Sequence, residues 1–181
     1  MAQSPAMNSL PNLIFLDIEA SSLGPDSYPI EVAWTRIDGY TDSFLIEPAP
    51  NWTDWDSFTE LTVHRVSRTE LKTRGISVEQ ATHRLNRSLQ GQRVLVDSLT
   101  WDGFWIKRLF DAAAIESQFD IQDMWSYLGR WIKTNAARPK HRALADAQLN
   151  RDQFLKAMTP FLNLQKQKSP AGAGLFQELG D

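Results

Sequence analysis

The stretch LIFLDIE, residues 13–19, decides the fold of this chain. Its first four residues are apolar without interruption, and a run of that length is too short for a helix. Such a run is typical of a central strand that is covered on both faces. Turn-forming Ser, Gly and Pro residues follow within residues 21–25. We therefore expect residues 13–16 to form a buried strand in the middle of a sheet.

Outward from this strand, the remaining pattern predicts strands and helices in alternation. Further strands are expected at Ile30–Thr35, Ser43–Ile46, Arg93–Val96 and near Phe119. Helices are expected over 67–90, 102–114, around 124–131 and over 142–158. The order βββ-α-β-α-β-α indicates an α/β domain with a mixed sheet. We expect one domain over residues 12–160, after a flexible leader (1–11) and before a flexible C-terminal tail (161–181).

Composition excludes several protein classes. The 181 residues are 42% hydrophobic and 23% charged, which is ordinary for a globular domain. No apolar run approaches the roughly 20 residues of a membrane helix, so no membrane association is expected. The chain has no Cys, and its start lacks the basic and apolar regions of a secretory signal. These features favour the cytoplasm.

Charge is distributed unevenly along the chain. Residues 1–60 hold ten acidic residues and one basic residue, whereas residues 61–93 hold seven basic residues and two acidic ones. The basic residues of the second block are Arg65, Arg68, Lys72, Arg74, Arg84, Arg87 and Arg93. They could follow a phosphate backbone, but a solvated surface is the favoured interpretation. Phosphate contact is the favoured interpretation for a second basic group, which consists of Lys133, Arg138, Lys140 and Arg142.

Asp17 and Glu19 are the first candidate functional residues. Positions i and i+2 of a strand share a face, so both carboxylates point the same way. They lie at the carboxyl end of the expected central strand, the edge where open α/β sheets place ligands. Two like charges this close repel each other unless a cation lies between them. Acidic residues on the surface of a turn are the alternative.

Three more candidates come from the second half of the chain. Asp102 shares a helix face with Trp105, Ile106 and Leu109, the face that should dock on the sheet. Burial there requires a partner or a metal, whereas an ordinary helix-start carboxylate is an equal alternative.

His141 and Asp146 are separated by five positions, which prevents them from sharing one helix face. They can meet if His141 lies in the loop ahead of the last helix. The other two histidines, His64 and His83, lack such a neighbour and are interpreted as surface or packing residues.

These pieces, in this order, resemble the DEDDh, or DnaQ-like, 3′-5′ exonucleases of the ribonuclease H-like superfamily. FLDIEASSLG (15–24) is similar to the first family motif, LVDSLTWDGFWI (95–106) to the second, and HRALADA (141–147) to the third. The resemblance covers about residues 13–158. It implies a ribonuclease H-like α/β fold, a five-stranded mixed sheet flanked by helices.

The resemblance also implies a set of site residues. Two divalent cations, Mg²⁺ or Mn²⁺, would be held by Asp17, Glu19, Asp102 and Asp146. Four oxygen donors without Cys or clustered His also suit a hard cation better than Zn²⁺. His141 would be the general base. Candidate contacts to the terminal nucleotide are Ala20, Ser21 and Leu23.

The second motif departs from the family pattern, because Asp97-Ser98 stands where the family usually has His-Asn. This difference concerns substrate positioning rather than metal binding.

The function implied is a metal-dependent 3′-5′ exonuclease acting on single-stranded or frayed nucleic acid, DNA or short RNA. It would need a free 3′ end and would release nucleoside 5′-monophosphates by a two-metal-ion mechanism. The alternatives are a non-catalytic nucleic-acid-binding module with the same fold, and an exoribonuclease restricted to short RNA. The sequence identifies no protein partner.

Overall fold

A five-stranded mixed sheet forms the centre of the molecule. The computed structural model describes residues 12–128 and 139–168. Its strands are β1 Leu13–Ala20, β2 Pro29–Arg36, β3 Thr41–Leu45, β4 Arg93–Val96 and β5 Asp120–Asp123. The sheet order is β3-β2-β1-β4-β5, with β1 pairing antiparallel to β2 and parallel to β4. The predicted five-stranded mixed sheet with β1 in its middle is confirmed.

The first strand is longer than its apolar run. All eight residues of β1 are buried, and its ladder with β2 continues past the apolar part, pairing Asp17 with Ala33 and Glu19 with Glu31. The prediction that Asp17-Ile18-Glu19 ends the central strand is confirmed, with the strand running one residue further, to Ala20. Backbone pairing with β2 extends the strand through the acidic residues, which places both carboxylates on the sheet itself.

Six helices accompany the sheet within residues 12–128 and 139–168. They are α1 Ser57–Thr59, α2 Arg68–Arg74, α3 Val78–Leu89, α4 Leu99–Ala113, α5 Met124–Leu128 and α6 Ala143–Lys168. A π-helical segment, Glu60–His64, directly follows α1. Of the described helices, none is long and apolar enough to cross a lipid bilayer.

Two core clusters lie on opposite faces of β1. Even-numbered residues of the strand, such as Ile14 and Leu16, pack with residues of α3 and α4. Odd-numbered residues pack with α6, where the rings of Phe15 and Phe154 lie 5.2 Å apart. Because strand side chains alternate, Asp17 and Glu19 fall on the same face as Phe15, the face that α6 covers.

The last helix extends beyond its expected end. It was predicted over 142–158, but α6 continues through Pro160 to Lys168. Proline lacks an N–H and removes one hydrogen bond, but the helix is continuous around this position. Outside the described residues lie the predicted leader (1–11), the basic residues Lys133 and Arg138, and the tail from 169 onward.

The predicted helix over 67–90 is two helices, because the chain bends at Gly75. There the backbone passes close to β3, and Ile76 forms an isolated bridge with Ile46. A Cβ on Gly75 would lie 2.3 Å from the carbonyl oxygen of Leu71 and 2.5 Å from the amide nitrogen of Glu47. Only glycine allows this approach, so the bend depends on a missing side chain rather than on a polar turn signal.

Replacing Gly75 by alanine should destabilise the protein by about 1–3 kcal/mol, because the clash is with backbone atoms that cannot move aside. Urea denaturation measures the effect. Gly103→Ala is the matched control. Its Cβ would meet only the Leu99 side chain at 3.5 Å, and alanine favours the interior of α4, so equal or higher stability is expected. Equal stability of the Gly75→Ala variant and the native protein would contradict the close-approach explanation.

Candidate active site

Three carboxylates converge where β1 passes beneath α6. Asp17, Glu19 and Asp146 each offer an oxygen, and these oxygens all lie within 4.8 Å of one another. Their residues are 9%, 8% and 4% exposed, respectively. Alternation along β1 directs the first two toward α6, and Asp146 lies in the first turn of that helix. We call these three residues the carboxylate cluster.

Asp102 reaches the same pocket from the other side of the sheet. It lies in the first turn of α4, whose apolar residues pack on the opposite face of β1, and it is 3% exposed. One of its oxygens accepts a hydrogen bond from the amide of Ser98 at 3.4 Å. Asp102 is not among the three residues of the cluster, but it lines the pocket of about 360 Å³ that they share. Asp102 therefore has both features that were considered as alternatives: it accepts a hydrogen bond at the start of α4, and it is buried in the pocket.

Burial and mutual repulsion raise the pKa values of Glu19, Asp17 and Asp102. Burial, together with the charges of Asp146 and Glu31, raises the pKa of Glu19 to about 8, against the opposing effect of Arg142. Burial and the charge of Asp102 raise the pKa of Asp17 well above its usual range. Burial and Asp97 do the same to the pKa of Asp102. A bound cation would remove this repulsion.

His141 lies in the loop that leads into α6, as predicted. The amides on either side of it, those of Lys140 and Arg142, donate to the two carboxylate oxygens of Asp146 at 2.6 and 3.2 Å. His141 itself has a left-handed backbone with φ of +56°, and its exposed side chain lines the pocket. Asp146 thus organises the loop that presents the histidine.

Glu31 of β2 is a residue that the sequence analysis missed. Its buried carboxylate accepts two hydrogen bonds from the guanidinium of Arg142, at 3.0 and 2.8 Å, and one from the amide of Ala143 at 3.3 Å. Arg142 was expected to contact phosphate, but two of its donors are directed to Glu31. The sequence does contain a signal for Glu31. A carboxylate stands at an inward-facing position of β2, opposite Glu19, where an apolar residue is usual.

Of the three residues predicted to contact the nucleotide, two line the pocket and one does not. Ala20 and Leu23 line the pocket, and Leu23 is 69% exposed. Ser21 does not line it, because its buried hydroxyl accepts a hydrogen bond from the amide of Tyr28 at 3.1 Å. The neighbouring Ser22 does line it and donates to Asp54.

The pocket has an apolar wall that the sequence analysis did not identify. Trp101 is 40% exposed, and its ring stacks on that of Trp105, with the ring centres 5.6 Å apart. Thr59 of α1 and Val63 of the π-helical segment complete this wall. A ring-sized apolar surface therefore faces the carboxylates.

The departures at 97 and 98 also fall in the pocket. Asp97 follows β4 and lines the pocket, while Ser98 precedes α4. Partial burial of its carboxyl and the charge of Asp146 raise the pKa of Asp97. A fifth acid therefore stands where the resemblance predicts a neutral residue.

The basic block of residues 61–93 contains both ion-paired and exposed side chains. Arg84 binds Asp42 with two donors, and Arg74 pairs with Glu70. Arg65, Arg68 and Lys72 are exposed, with the guanidinium of Arg68 5.5 Å from the centre of the Trp55 ring.

The two other histidines are a packing residue and a surface residue, as predicted. His64 is fully buried, its Nδ1 accepting a hydrogen bond from the amide of Val66 at 3.0 Å, and His83 is exposed.

Comparison with known proteins identifies the fold. No family model matches the sequence, and no curated protein matches it. Among solved structures, E. coli exonuclease I in complex with an oligonucleotide has a TM-score of 0.62 and 16% identity, covering 88% of this chain and 43% of that chain. Exonuclease I from Methylocaldum szegediense has a TM-score of 0.65 and 13% identity, covering 84% of this chain and 42% of that chain.

A third similar structure, the zinc-bound form of the complex of E. coli exonuclease I with single-stranded DNA, has a TM-score of 0.62 and 16% identity. It covers 87% of this chain and 43% of that chain. This chain therefore spans less than half the length of these relatives. At such identities the similarity establishes the fold, which is the ribonuclease H-like fold that the motifs predicted.

In the presence of a chelator, the free energy of unfolding should fall as pH rises from about 4.5 to about 8, the range between the ordinary and the raised pKa of Glu19. Over this range the unfolded chain has released the Glu19 proton and the folded chain retains it, so each rise in pH favours unfolding. Asp17 and Asp102 contribute in the same direction.

Glu19→Gln should reduce this slope, as measured by urea denaturation at several pH values. Glu116→Gln, a change at an exposed residue outside the pocket, is the control and should leave the slope unchanged. A Glu19→Gln variant with the native slope would show that Glu19 ionises normally.

Proposed function

We propose that this chain is a metal-dependent 3′-5′ exonuclease that releases nucleoside 5′-monophosphates from single-stranded or frayed nucleic acid. The observation that carries the proposal is the convergence of Asp17, Glu19 and Asp146, whose oxygens lie within 4.8 Å of one another, with Asp102 and His141 lining the same pocket. The three motifs of the sequence thus supply side chains to one pocket on an exonuclease fold.

The donor set of the pocket fits divalent metal ions. Buried carboxylate oxygens without thiolates suit Mg²⁺ or Mn²⁺, and burial together with the charges of Asp146 and Glu31 raises the pKa of Glu19 in this site. We assign Asp17, Glu19, Asp102 and Asp146 to two such ions. A zinc-bound form of the complex between E. coli exonuclease I and single-stranded DNA supports a cation in this fold. When bound, the ions would stabilise the negative charge that develops on the phosphate during displacement.

His141 is assigned as the general base. Its side chain is exposed to the pocket, and its loop is held by the two amides that donate to Asp146. The imidazole takes a proton from the attacking water, the water oxygen forms a bond to phosphorus, and the bond from phosphorus to the 3′ oxygen breaks. The leaving 3′ oxygen takes a proton from solvent, and the imidazolium returns its proton to solvent, so that each turnover yields a nucleoside 5′-monophosphate and a new 3′ hydroxyl.

The shape of the pocket supports a terminal nucleotide as its occupant. Leu23 and Trp101 present exposed apolar surface beside the acids, and stacking on such surface suits unpaired bases. We assign Ala20 and Leu23 to the sugar and base of that nucleotide. Ser21, whose hydroxyl, amide and carbonyl are bonded to Tyr28 and Asp56, would support the turn that carries Ala20 and Leu23. Exonuclease I structures with bound oligonucleotides support nucleic acid as the ligand.

The direct test is digestion of end-labelled single-stranded DNA and RNA by the purified chain with Mg²⁺, Mn²⁺ or chelator. We expect hydrolysis to require the metal and a free 3′ hydroxyl, so that a bulky group on the 3′ end stops it and one on the 5′ end does not. Cleavage of RNA alone would favour the short-RNA enzyme, and binding without hydrolysis would favour the non-catalytic module. Efficient cutting of a closed circular strand would contradict an exonuclease.

His141→Ala should lower kcat about 10²–10⁴-fold, because proton transfer to the side chain is lost, while the affinity for Mn²⁺ should stay nearly unchanged. Steady-state kinetics and calorimetric titration with Mn²⁺ measure the two effects. His83→Ala, a change on the exposed face of α3, is the control and should be fully active. Near-normal turnover of His141→Ala across neutral pH would remove this histidine from the mechanism.

Asp102→Asn should abolish activity while leaving the metal-free protein as stable as the native one or more so. The substitution removes a buried charge beside Asp17, whereas the acceptor oxygen for the Ser98 amide is retained. Melting curves in chelator and in Mn²⁺ measure both effects. Mn²⁺ should stabilise the native protein by about 2.7 kcal/mol at 100 times its Kd. A metal-insensitive native protein together with a destabilised Asp102→Asn would show that Asp102 acts only at the start of α4.

A further inference from the structure

We propose that Glu31 is a positioning residue for the assigned base, acting through Arg142 to hold the His141 loop at a set distance from the carboxylate cluster. The proposal rests on the proposed function, because it concerns the histidine assigned to proton transfer. Neither Glu31 nor Arg142 needs to contact the substrate for this role.

The contacts of Glu31 are directed at one short stretch of chain. Its two oxygens accept from the guanidinium of Arg142 at 3.0 and 2.8 Å, and one also accepts from the amide of Ala143 at 3.3 Å. The side chain of Glu31 is 7% exposed and that of Arg142 is 52% exposed, so the arginine reaches inward from the surface. Bidentate pairing fixes orientation as well as distance, which a single hydrogen bond does not.

The position of Glu31 in the sheet makes little sense for stability alone. It lies directly opposite Glu19 in the β1–β2 ladder, where like charges are unfavourable, and its charge contributes to the raised pKa of Glu19. Alternate residues of β2 on this face, Ala33 and Thr35, are small or neutral. An apolar residue at 31 would pack against the N-terminus of α6 without this repulsion, so the carboxylate has a use beyond packing.

That use follows from where Arg142 stands. It directly follows His141, whose φ of +56° is a conformation that non-glycine residues rarely adopt without support. Asp146 holds the loop from inside through the amides of Lys140 and Arg142. Glu31 holds it from the sheet through the side chain of Arg142. Among the contacts of the described residues, Asp146 is the other support of this loop, and it is also assigned to metal.

The test compares Glu31→Gln with the native protein in kinetics, metal binding and amide hydrogen exchange. We expect kcat to fall about 10–100-fold with KM and the Kd for Mn²⁺ within a few-fold of native, because the base is misplaced while the cluster is intact. Exchange at the amides of Arg142 and Ala143 should become faster. Glu31→Asp, which retains the charge, should recover part of kcat.

Two further variants separate positioning from general support of the fold. In a His141→Ala background, Glu31→Gln should have no additional effect on the remaining activity, because the group that it positions is gone. Asp42→Asn breaks another bidentate pair, with Arg84, away from the pocket, and should leave kcat unchanged.

The proposal is overturned if Glu31→Gln lowers activity by a similar factor with and without His141, or if exchange of the loop amides is unchanged. A native chain inactive on every nucleic acid tested would contradict the proposed function. The exchange measurement would still decide whether Glu31 holds the loop.

Discussion

Repulsion between buried carboxylates is the constraint on which the arrangement of this molecule depends. Oxygens of Asp17, Glu19 and Asp146 lie within 4.8 Å of one another, and Asp102 lines the same pocket. A hydrophobic core does not tolerate this much negative charge unless protons or cations neutralise it. The surrounding structure therefore has to hold the acids in place rather than be stabilised by them, and the large apolar clusters on both faces of β1 supply that support.

The central strand brings the two halves of the site together because it is covered on both sides. One face of β1 packs against α6 and receives Asp146, while the other packs against α4, which carries Asp102 over the end of the sheet. A series of contacts connects the carboxylate cluster to the charged residues around it. Glu31 neutralises Arg142, Arg142 holds the loop of His141, and the loop amides bind Asp146. Each acid thus has either a hydrogen-bonded partner or a place among the assigned metal ligands.

The strand positions, the central place of β1 and the position of His141 ahead of α6 were predictable from local pattern. A run of apolar residues, hairpin signals and the spacing of His141 and Asp146 are short-range features, and the structure agrees with them. The failure at Gly75 has a physical cause. The break between α2 and α3 depends on contact with a distant segment, namely the backbone at Glu47. Propensity within a window contains no information about such contacts.

The sequence by itself predicted the candidate site residues, because the acids and the histidine stand at strand and helix ends whose order resembles that of a known motif set. It also determined that oxygen donors dominate, since the chain has no cysteine. Only the tertiary structure decided which acids meet. Alternation along β1 directs Asp17 and Glu19 toward α6, so Asp146 joins their cluster, whereas Asp102 approaches from the opposite face. The role of Glu31 was equally a tertiary matter, because its partner Arg142 lies 111 residues away along the chain and meets it only when α6 packs on β2.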